Sequence, residues 1–254
     1  GGIVTLELQL GHVHAGHRLP RFAVQDVTKT FLGERGFPEV AEREAKVDHR
    51  VGVVAVEVNG PLVGLGVGEK VALVLGGLTG TGAEIGVQEG IYSEHILKTW
   101  KGSTLFSIDA WQNFDAGEYI DISNRPDDQQ ILLYANTTLR LRPFGEHSIV
   151  WRMTSEQAAH AMPDNTLDFC FIDADHRYEA VRQDIELWLP EVKSGGIICG
   201  HDYVKDGNIY NKADGSLIGL FGVQRAVKEF AARDGWDVHV TESEEWPSWF
   251  AFKP

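Results

Sequence analysis

The chain has 254 residues, a length that fits one large domain or one domain with an appendage. Hydrophobic residues make up 43% of the chain and charged residues 24%, which excludes a globally disordered protein. The 37 Asp and Glu residues outnumber the 23 Lys and Arg residues and give a net charge of -14, so nucleic acid and membrane surfaces are not expected as partners.

Residues 1–78 are rich in valine and glycine and contain short alternating runs, a pattern typical of strands and loops. One helix is predicted near residues 38–47. Three roles stay open for the apolar segment 51–78: it covers a sheet, mediates self-association into a homo-oligomer, or contacts a substrate. We therefore treat residues 1–78 as an N-terminal extension and residues 79–254 as the main domain.

Beyond residue 80, apolar runs alternate with helical patterns. Five of these runs are predicted as strands, at 83–87, 103–111, 147–151, 166–175 and 194–200. The predicted helix before the third strand has its apolar positions at Ile131, Leu132, Ala135 and Leu139. Strands and helices that alternate in this way predict an α/β fold with a mostly parallel sheet and helices on both faces.

Two further strands are predicted at the end of the chain, at 236–240 and 248–252. The segment between them is too short for a crossover helix, so they are expected to pair antiparallel. The sheet is therefore predicted to have seven strands, with an antiparallel last strand.

The two cysteines, Cys170 and Cys199, lie in the apolar runs LDFCFID and GGIICG. Both are expected to be small core residues, since two cysteines do not resemble a disulfide framework. No run approaches the ~18 consecutive apolar residues of a membrane helix. Together these features favour a cytoplasmic location.

Ligands of parallel sheets bind at the carboxyl ends of the strands, so the residues that follow each strand are the candidate site. After the first strand, Gly86 and Gly90 permit a tight turn and a close approach of the backbone to a ligand. Asp109 ends the second strand, 25 residues after Glu84, and suits hydrogen bonds to ribose hydroxyls. A nicotinamide site would require a third glycine at the position of Ile85. The alternative is that these residues bind no ligand and form only a glycine turn beside acidic side chains that face solvent.

A second group of polar residues follows the fourth and fifth strands. The segment Asp173-Ala-Asp175-His176 ends one strand and His201-Asp202 ends the next, so both are expected in one cleft. A neutral imidazole accepts a proton near pH 7, which makes His176 or His201 a candidate general base. The alternative is that these groups only cap the strand ends.

The segments EIGVQEGIYSEHIL, SIDAW and FIDADHRYEAVRQDIELWLPEVKSGGIICGHDY resemble the class I S-adenosylmethionine-dependent methyltransferases, in particular their small-molecule O-methyltransferase branch. The resemblance covers residues 80–254 and implies a Rossmann-like fold and S-adenosylmethionine as cofactor. It also implies cofactor binding by Glu84, Gly86, Val87, Gly90, Ser93, Asp109, Ala110, Thr154, Ser155 and Asp173.

In related O-methyltransferases, carboxylates at the positions of Asp173 and Asp202 bind a divalent ion such as Mg2+, which favours the alkoxide of the acceptor. The metal-dependent forms have Asp-Asp or Asp-Asn where this chain has Asp202-Tyr203, preceded by His201. The third ligand is therefore open. Without a metal, the candidate catalytic residues are His176, His201 and Asp173.

These observations predict O-methylation of a small-molecule hydroxyl, on a sugar or a natural-product scaffold. Two alternatives stay open. One is a hydroxylase-like enzyme with a metal held by His176, His201 and Asp202. The other is a non-catalytic module in which residues 1–78 form an interaction surface. Residues 203–221 are predicted to form a polar loop that is either a lid over the acceptor or a solvated segment.

Overall fold

The computed structural model describes residues 46–48, 53–55, 78–115, 119–241 and 245–254. Lys46–Asp48 (β1) and Val53–Ala55 (β2) pair antiparallel and belong to a compact unit of their own. The end of the helix predicted near 38–47 is wrong, because Lys46 and Val47 pair with β2 as a strand. β1 and β2 agree with the short strands predicted for this region, and the remaining predictions for residues 1–77 lie outside the described residues.

A seven-stranded sheet forms the centre of the second unit. The strands after β2 are β3 (Thr81–Ile85), β4 (Thr104–Asp109), β5 (Ser148–Arg152), β6 (Leu167–Ile172), β7 (Val192–Gly200), β8 (Gly207–Tyr210), β9 (Leu217–Phe221), β10 (His239–Val240) and β11 (Trp249–Phe252). The order in the sheet is β10-β11-β7-β6-β3-β4-β5. Strands β3 to β7 pair parallel, and β11 is antiparallel to both β7 and β10. The predicted sheet is confirmed.

Five α-helices accompany the sheet among the described residues: α1 (Ile91–Thr99), α2 (Asp127–Leu141), α3 (Ser155–Ala161), α4 (Tyr178–Trp188) and α5 (Val223–Asp234). A 3-10 helix over Arg142–His147 follows α2 directly. None of the helices in the described part of the chain is long and apolar enough to cross a membrane.

The core lies on both faces of the sheet because neighbouring residues of a strand point in opposite directions. Cys170 and Ile172 of β6 pack in the cluster that includes α3, α4 and α5. Phe169 and Phe171 of the same strand pack in the cluster that includes α1. Cys170 and Cys199 are both buried free thiols, as predicted. Helices therefore cover both faces and leave the strand ends free to form a site.

Helix α2 does not bury the apolar residues that the sequence suggested. Ile131, Leu132 and Leu139 are exposed, at 52%, 62% and 65% of their surface. The helix instead turns Gln130, Leu133, Thr137 and Leu141 inward. The physical reason is that its inner face holds loop backbone. The Thr137 hydroxyl donates to the Gln88 carbonyl, and the Gln130 amide donates to the Ser123 carbonyl.

The segment 203–221 is more regular than predicted. It contains the antiparallel hairpin of β8 and β9 instead of a loop alone. The Ile122 N–H donates to the Ile218 carbonyl at 2.9 Å, and Asp121 forms an isolated bridge with Gly219. The hairpin is thereby joined to the segment before α2, beside the carboxyl ends of the parallel strands.

Candidate cofactor and acceptor site

A cavity of about 930 Å³ lies at the carboxyl ends of β3 to β7. Its wall includes most of the residues predicted after each strand, from Glu84 and Gly86 to His201 and Asp202, whereas Gly90 and Ser93 lie behind it. A cavity of this size accommodates a ligand of several hundred daltons together with a small second molecule. The strand order therefore brings the two predicted groups of polar residues to one site.

The first turn has the backbone geometry that its glycines suggested. Gly86 has a φ of 89° and Gly90 a φ of 69°, both in the left-handed region that favours glycine. A Cβ on Gly86 would also collide with the backbone of Asp173. These two constraints explain the glycine at the end of β3, where the backbone forms the floor of the cavity.

Asp109 braces this turn. Its Oδ2 accepts hydrogen bonds from the N–H groups of Val87 and Gln88, each at 2.9 Å, and its Oδ1 accepts one from the Trp111 N–H at 2.8 Å. Counting two lone pairs per oxygen, Oδ1 keeps one site for another donor. The carboxylate can thus accept one further hydroxyl, whereas the sequence suggested a pair.

Glu84 is a buried acid at the centre of the cavity wall. The Ser93 hydroxyl donates to Glu84 Oε2, and the Ser107 hydroxyl donates to Ser93 Oγ at 2.9 Å. Burial, and to a smaller degree the charges of Asp173 and Asp109, hold the pKa of Glu84 well above its usual range, although Ser93 acts against this shift. A cation bound here would favour the ionised form.

The residues after β5 have structural partners. The Thr154 hydroxyl accepts the Gln157 N–H, and the Gln157 side chain accepts the Thr154 N–H, which forms a capping box at the start of α3. The Ser155 hydroxyl donates to Asp184 Oδ1 and accepts from Trp188 Nε1 at 2.8 Å. Of these residues, Thr154, Ser155 and Asp184 line the cavity. Asp184 is a residue that sequence reasoning missed.

His176 is held among three carboxylates. Its Nδ1 lies 2.9 Å from Asp121 Oδ2, and its Nε2 lies 2.9 Å from Asp202 Oδ2 and 3.5 Å from Asp173 Oδ1. The contact with Asp202 is an ion pair without the alignment of a hydrogen bond. The ring also stacks on Phe221, at 4.5 Å between centroids and 4° between planes.

These neighbours set the protonation of His176. Burial alone would lower its pKa, but Asp121, Asp173 and Asp202 together raise the pKa well above its usual range. In return, His176 lowers the pKa of Asp121 and of Asp202 against the opposite effect of burial. The surrounding carboxylates therefore favour the imidazolium form of His176 over the free base.

Asp173, His201 and Asp202 form a potential metal site. One ligand atom from each lies within 4.8 Å of the others, and they are the one such group among the described residues. His201 Nδ1 is 3.0 Å from Asp202 Oδ1 and 4.0 Å from Asp173 Oδ1. Two carboxylates and an imidazole suit a divalent cation. His201 is thus the candidate for the third ligand that the sequence left open, and His176 is not in the group.

Asp121 was not predicted as a site residue. It lies in a segment without hydrophobic periodicity, and its contact with His176 spans 55 positions of sequence. The wall beyond His176 is formed mainly by aromatic and aliphatic side chains: Phe114, Tyr119, Ile122, Ile218, Phe221 and Trp246.

The comparisons with known proteins agree with this geometry. Residues 83–203 match the family model of a methyltransferase domain. A search of curated proteins finds no match. The fold resembles a candidate caffeoyl-CoA O-methyltransferase from Staphylococcus aureus, with a TM-score of 0.54 and 12% identity over 76% of this chain and 85% of that chain.

Two further solved structures share the fold. Cofactor-bound Rv0187 from MTB has a TM-score of 0.51 and 14% identity, over 76% of this chain and 82% of that chain. An O-methyltransferase family protein from Burkholderia thailandensis has a TM-score of 0.50 and 14% identity, over 72% of this chain and 54% of that chain.

Residues 83–203 thus match a methyltransferase domain, and the fold is like that of solved O-methyltransferases. The family match begins within β3 and runs past the end of β7, so it covers the carboxyl ends of the parallel strands that surround the cavity. It gives no support to the hydroxylase alternative, which also required His176 as a metal ligand.

Proposed function

We propose that the chain is a class I S-adenosylmethionine-dependent methyltransferase that acts on a hydroxyl oxygen of a small molecule, on a sugar or a natural-product scaffold. The observation that carries the proposal is the division of the cavity. Glu84 and Asp109 lie at the glycine turn, whereas Asp173, His201 and Asp202 lie beside His176 and an aromatic wall. The first part suits a cationic nucleoside donor, and the second suits an acceptor oxygen.

In this proposal the donor lies along the glycine turn. Asp109 Oδ1 accepts one ribose hydroxyl, and Glu84 faces the positively charged amino-acid tail. A cation near Glu84 would offset the burial that keeps this acid neutral. Gly86, Val87, Gly90, Ser93 and Ala110 shape the turn, Thr154 and Ser155 lie on the adenine side, and Asp173 lies near the methionine part.

We further propose that Asp173, His201 and Asp202 bind a divalent ion such as Mg2+. A bound ion of this kind would polarise the acceptor oxygen and favour its alkoxide. The support is the donor set itself, because the three side chains lie close together and all line the cavity.

His176 is the proposed proton acceptor, because His201 belongs to the metal ligands. Asp121 holds Nδ1, so Nε2 lies on the side of Asp202 and Asp173. In the free protein the raised pKa keeps Nε2 protonated. A cation held by Asp173 and Asp202 would weaken their stabilisation of the imidazolium, and Nε2 would then be able to accept the hydroxyl proton.

The methyl group passes in line from sulfur to oxygen, so catalysis depends mainly on holding the two reactants in contact. Such positioning supplies roughly 7–11 kcal/mol of barrier reduction in well-oriented reactions. The hairpin of β8 and β9 contributes Ile218 and Phe221 to the acceptor wall, which supports a lid role for this segment.

Methyl transfer to a panel of catechols, glycosides and polyols tests the proposal. The assay uses labelled S-adenosylmethionine, with Mg2+ or with EDTA, and mass spectrometry locates the added methyl group. We expect an O-methyl product that depends on Asp173 and His176. An N-methyl or C-methyl product would contradict the proposed acceptor atom, and a full rate in EDTA would contradict the proposed metal.

A further inference from the structure

Asp184 is a buried carboxyl group that the proposed methyl transfer does not use. It lies on the inner face of α4, among the apolar residues Val181, Ile185 and Trp188, and 6% of its surface is exposed. A carboxyl group in such surroundings is costly unless a partner compensates it. Its position on the cavity wall suggests that part of this partner is a ligand.

The two oxygens of Asp184 have different surroundings. Oδ1 accepts the Ser155 hydroxyl, and Ser155 Oγ is itself fixed by the indole N–H of Trp188. Oδ2 accepts no hydrogen bond from the described residues. The side chain is therefore held in one orientation, with one acceptor atom left over.

The strand order locates this atom with respect to the cofactor. β5 is the neighbour of β4 in the sheet, so the segment Thr154–Ser155 after β5 lies beside Asp109 at the end of β4. If Asp109 holds the ribose, as the proposed function requires, the base attached to that ribose extends toward the wall formed by Ser155 and Asp184.

We infer that Asp184 is a specificity-determining residue for the donor: its Oδ2 accepts a hydrogen bond from the 6-amino group of adenine, while Ser155 fixes Oδ1. This inference rests on the proposed function. Oδ2 of Asp184 can accept a hydrogen bond from an amino group of the ligand. A purine that lacks the 6-amino group would leave this acceptor unpaired when it binds.

Burial raises the pKa of Asp184 to about 7, against the effect of the Ser155 hydrogen bond. Either protonation state keeps an oxygen that accepts from an amino group. A purely structural role would be different. In that case Asp184 only ties α4 to the start of α3 through Ser155, and its loss would affect all cofactor analogues alike.

The experiment compares two ligands by calorimetry: S-adenosylhomocysteine and its analogue with hydrogen in place of the 6-amino group. The wild-type protein is expected to bind the first about tenfold more tightly. In Asp184→Asn, Ser155 donates to the amide oxygen, so the amide nitrogen replaces Oδ2 and cannot accept. This variant should bind both ligands with similar affinity.

Glu156→Gln is the matched control, because Glu156 is an exposed carboxylate on the same cavity wall next to Ser155. It should keep the tenfold preference. Asp184→Leu provides a second variant without any acceptor, for the case that the Asn variant does not fold. Circular dichroism checks the fold of each variant.

Three outcomes separate the explanations. A lost preference in both Asp184 variants, together with a preserved preference in the control, supports the inference. Equal binding of both ligands by the wild type, or a preference that survives in the variants, overturns it. If the wild type binds neither ligand, the proposed cofactor site itself is wrong.

Discussion

The Nδ1 atom of His176 lies 2.9 Å from Oδ2 of Asp121, which comes from the segment between β4 and α2. The same segment bonds to the hairpin of β8 and β9 through Ile122 and Ile218. One short stretch of chain therefore orients the candidate proton acceptor and also holds the wall of the acceptor region. Changes in this stretch are expected to affect chemistry more than cofactor binding.

Replacing Asp121 by Asn removes one of the charges that stabilise the His176 imidazolium. The pKa of His176 should fall, and NMR titration of the imidazole measures this directly. We expect the methyl-transfer rate to decrease by about 10- to 100-fold, because Asp121 orients the imidazole and stabilises the imidazolium that forms when His176 takes up the proton. The affinity for S-adenosylhomocysteine should stay within about twofold, since the change leaves Glu84, Asp109 and the glycine turn after β3 unaltered.

Asp128→Asn is the matched control for this change, because Asp128 is exposed in the first turn of α2. It should leave the His176 titration unaltered. An unchanged titration in Asp121→Asn would contradict the role given to the Asp121–His176 contact.

The proposed metal site predicts which residues bind Mn2+ as a probe. Asp202→Asn and His201→Ala should each weaken Mn2+ binding at least about tenfold, since each removes a direct ligand. Paramagnetic resonance of free Mn2+ gives the affinity. His160→Ala, which changes an exposed histidine of α3, should bind Mn2+ like the wild type. Equal affinity in all of these proteins would exclude the site.

Glu84→Gln tests the binding of the charged tail. Loss of a charge-assisted contact should weaken S-adenosylhomocysteine binding by about 10- to 100-fold. Binding of 5′-methylthioadenosine, which lacks the amino-acid tail, should not change. The variant should fold at least as well as the wild type, because it replaces a buried acid whose pKa is already raised by burial. A parallel loss for both ligands would argue against contact with the tail.

The pKa of Asp184, about 7 in the folded protein against an ordinary value of 3.8, predicts a pH dependence of stability. Between these values the folded state binds a proton that the unfolded state has lost. The contribution is therefore fully present below pH 3.8 and is lost as the pH rises through 7.

Chemical denaturation at two pH values measures this effect. Relative to Asp184→Asn, the wild type should lose about 2–3 kcal/mol of unfolding free energy between roughly pH 5 and pH 8. A constant difference between the two proteins over this range would show that Asp184 does not titrate as the structure indicates.

The sequence predicted those parts of the site that follow from strand order. Asp173, His176 and Asp202 end neighbouring parallel strands, so their meeting in one cavity is a consequence of topology. The left-handed glycine turn was predictable for the same local reason, because Gly86 directly follows β3.

Other parts depend on contacts that leave no periodic signal. Asp121 reaches His176 from an irregular segment, and Asp184 is a polar residue on an otherwise apolar helix face. Helix α2 misled the prediction because its inner side is occupied by hydrogen bonds from Thr137 and Gln130 to loop carbonyls. The isoleucine and leucine residues on its outer side are exposed, so they do not indicate which face of the helix packs against the core.

Calorimetry with S-adenosylhomocysteine tests the central claim, that this cavity holds the methyl donor through carboxylates at successive strand ends. The wild type should bind one equivalent, and Asp109→Ala should weaken binding by about 1.5–3 kcal/mol, the loss of a charge-assisted hydrogen bond. An absence of heat at submillimolar ligand, or an unchanged affinity in the variant, would contradict the account.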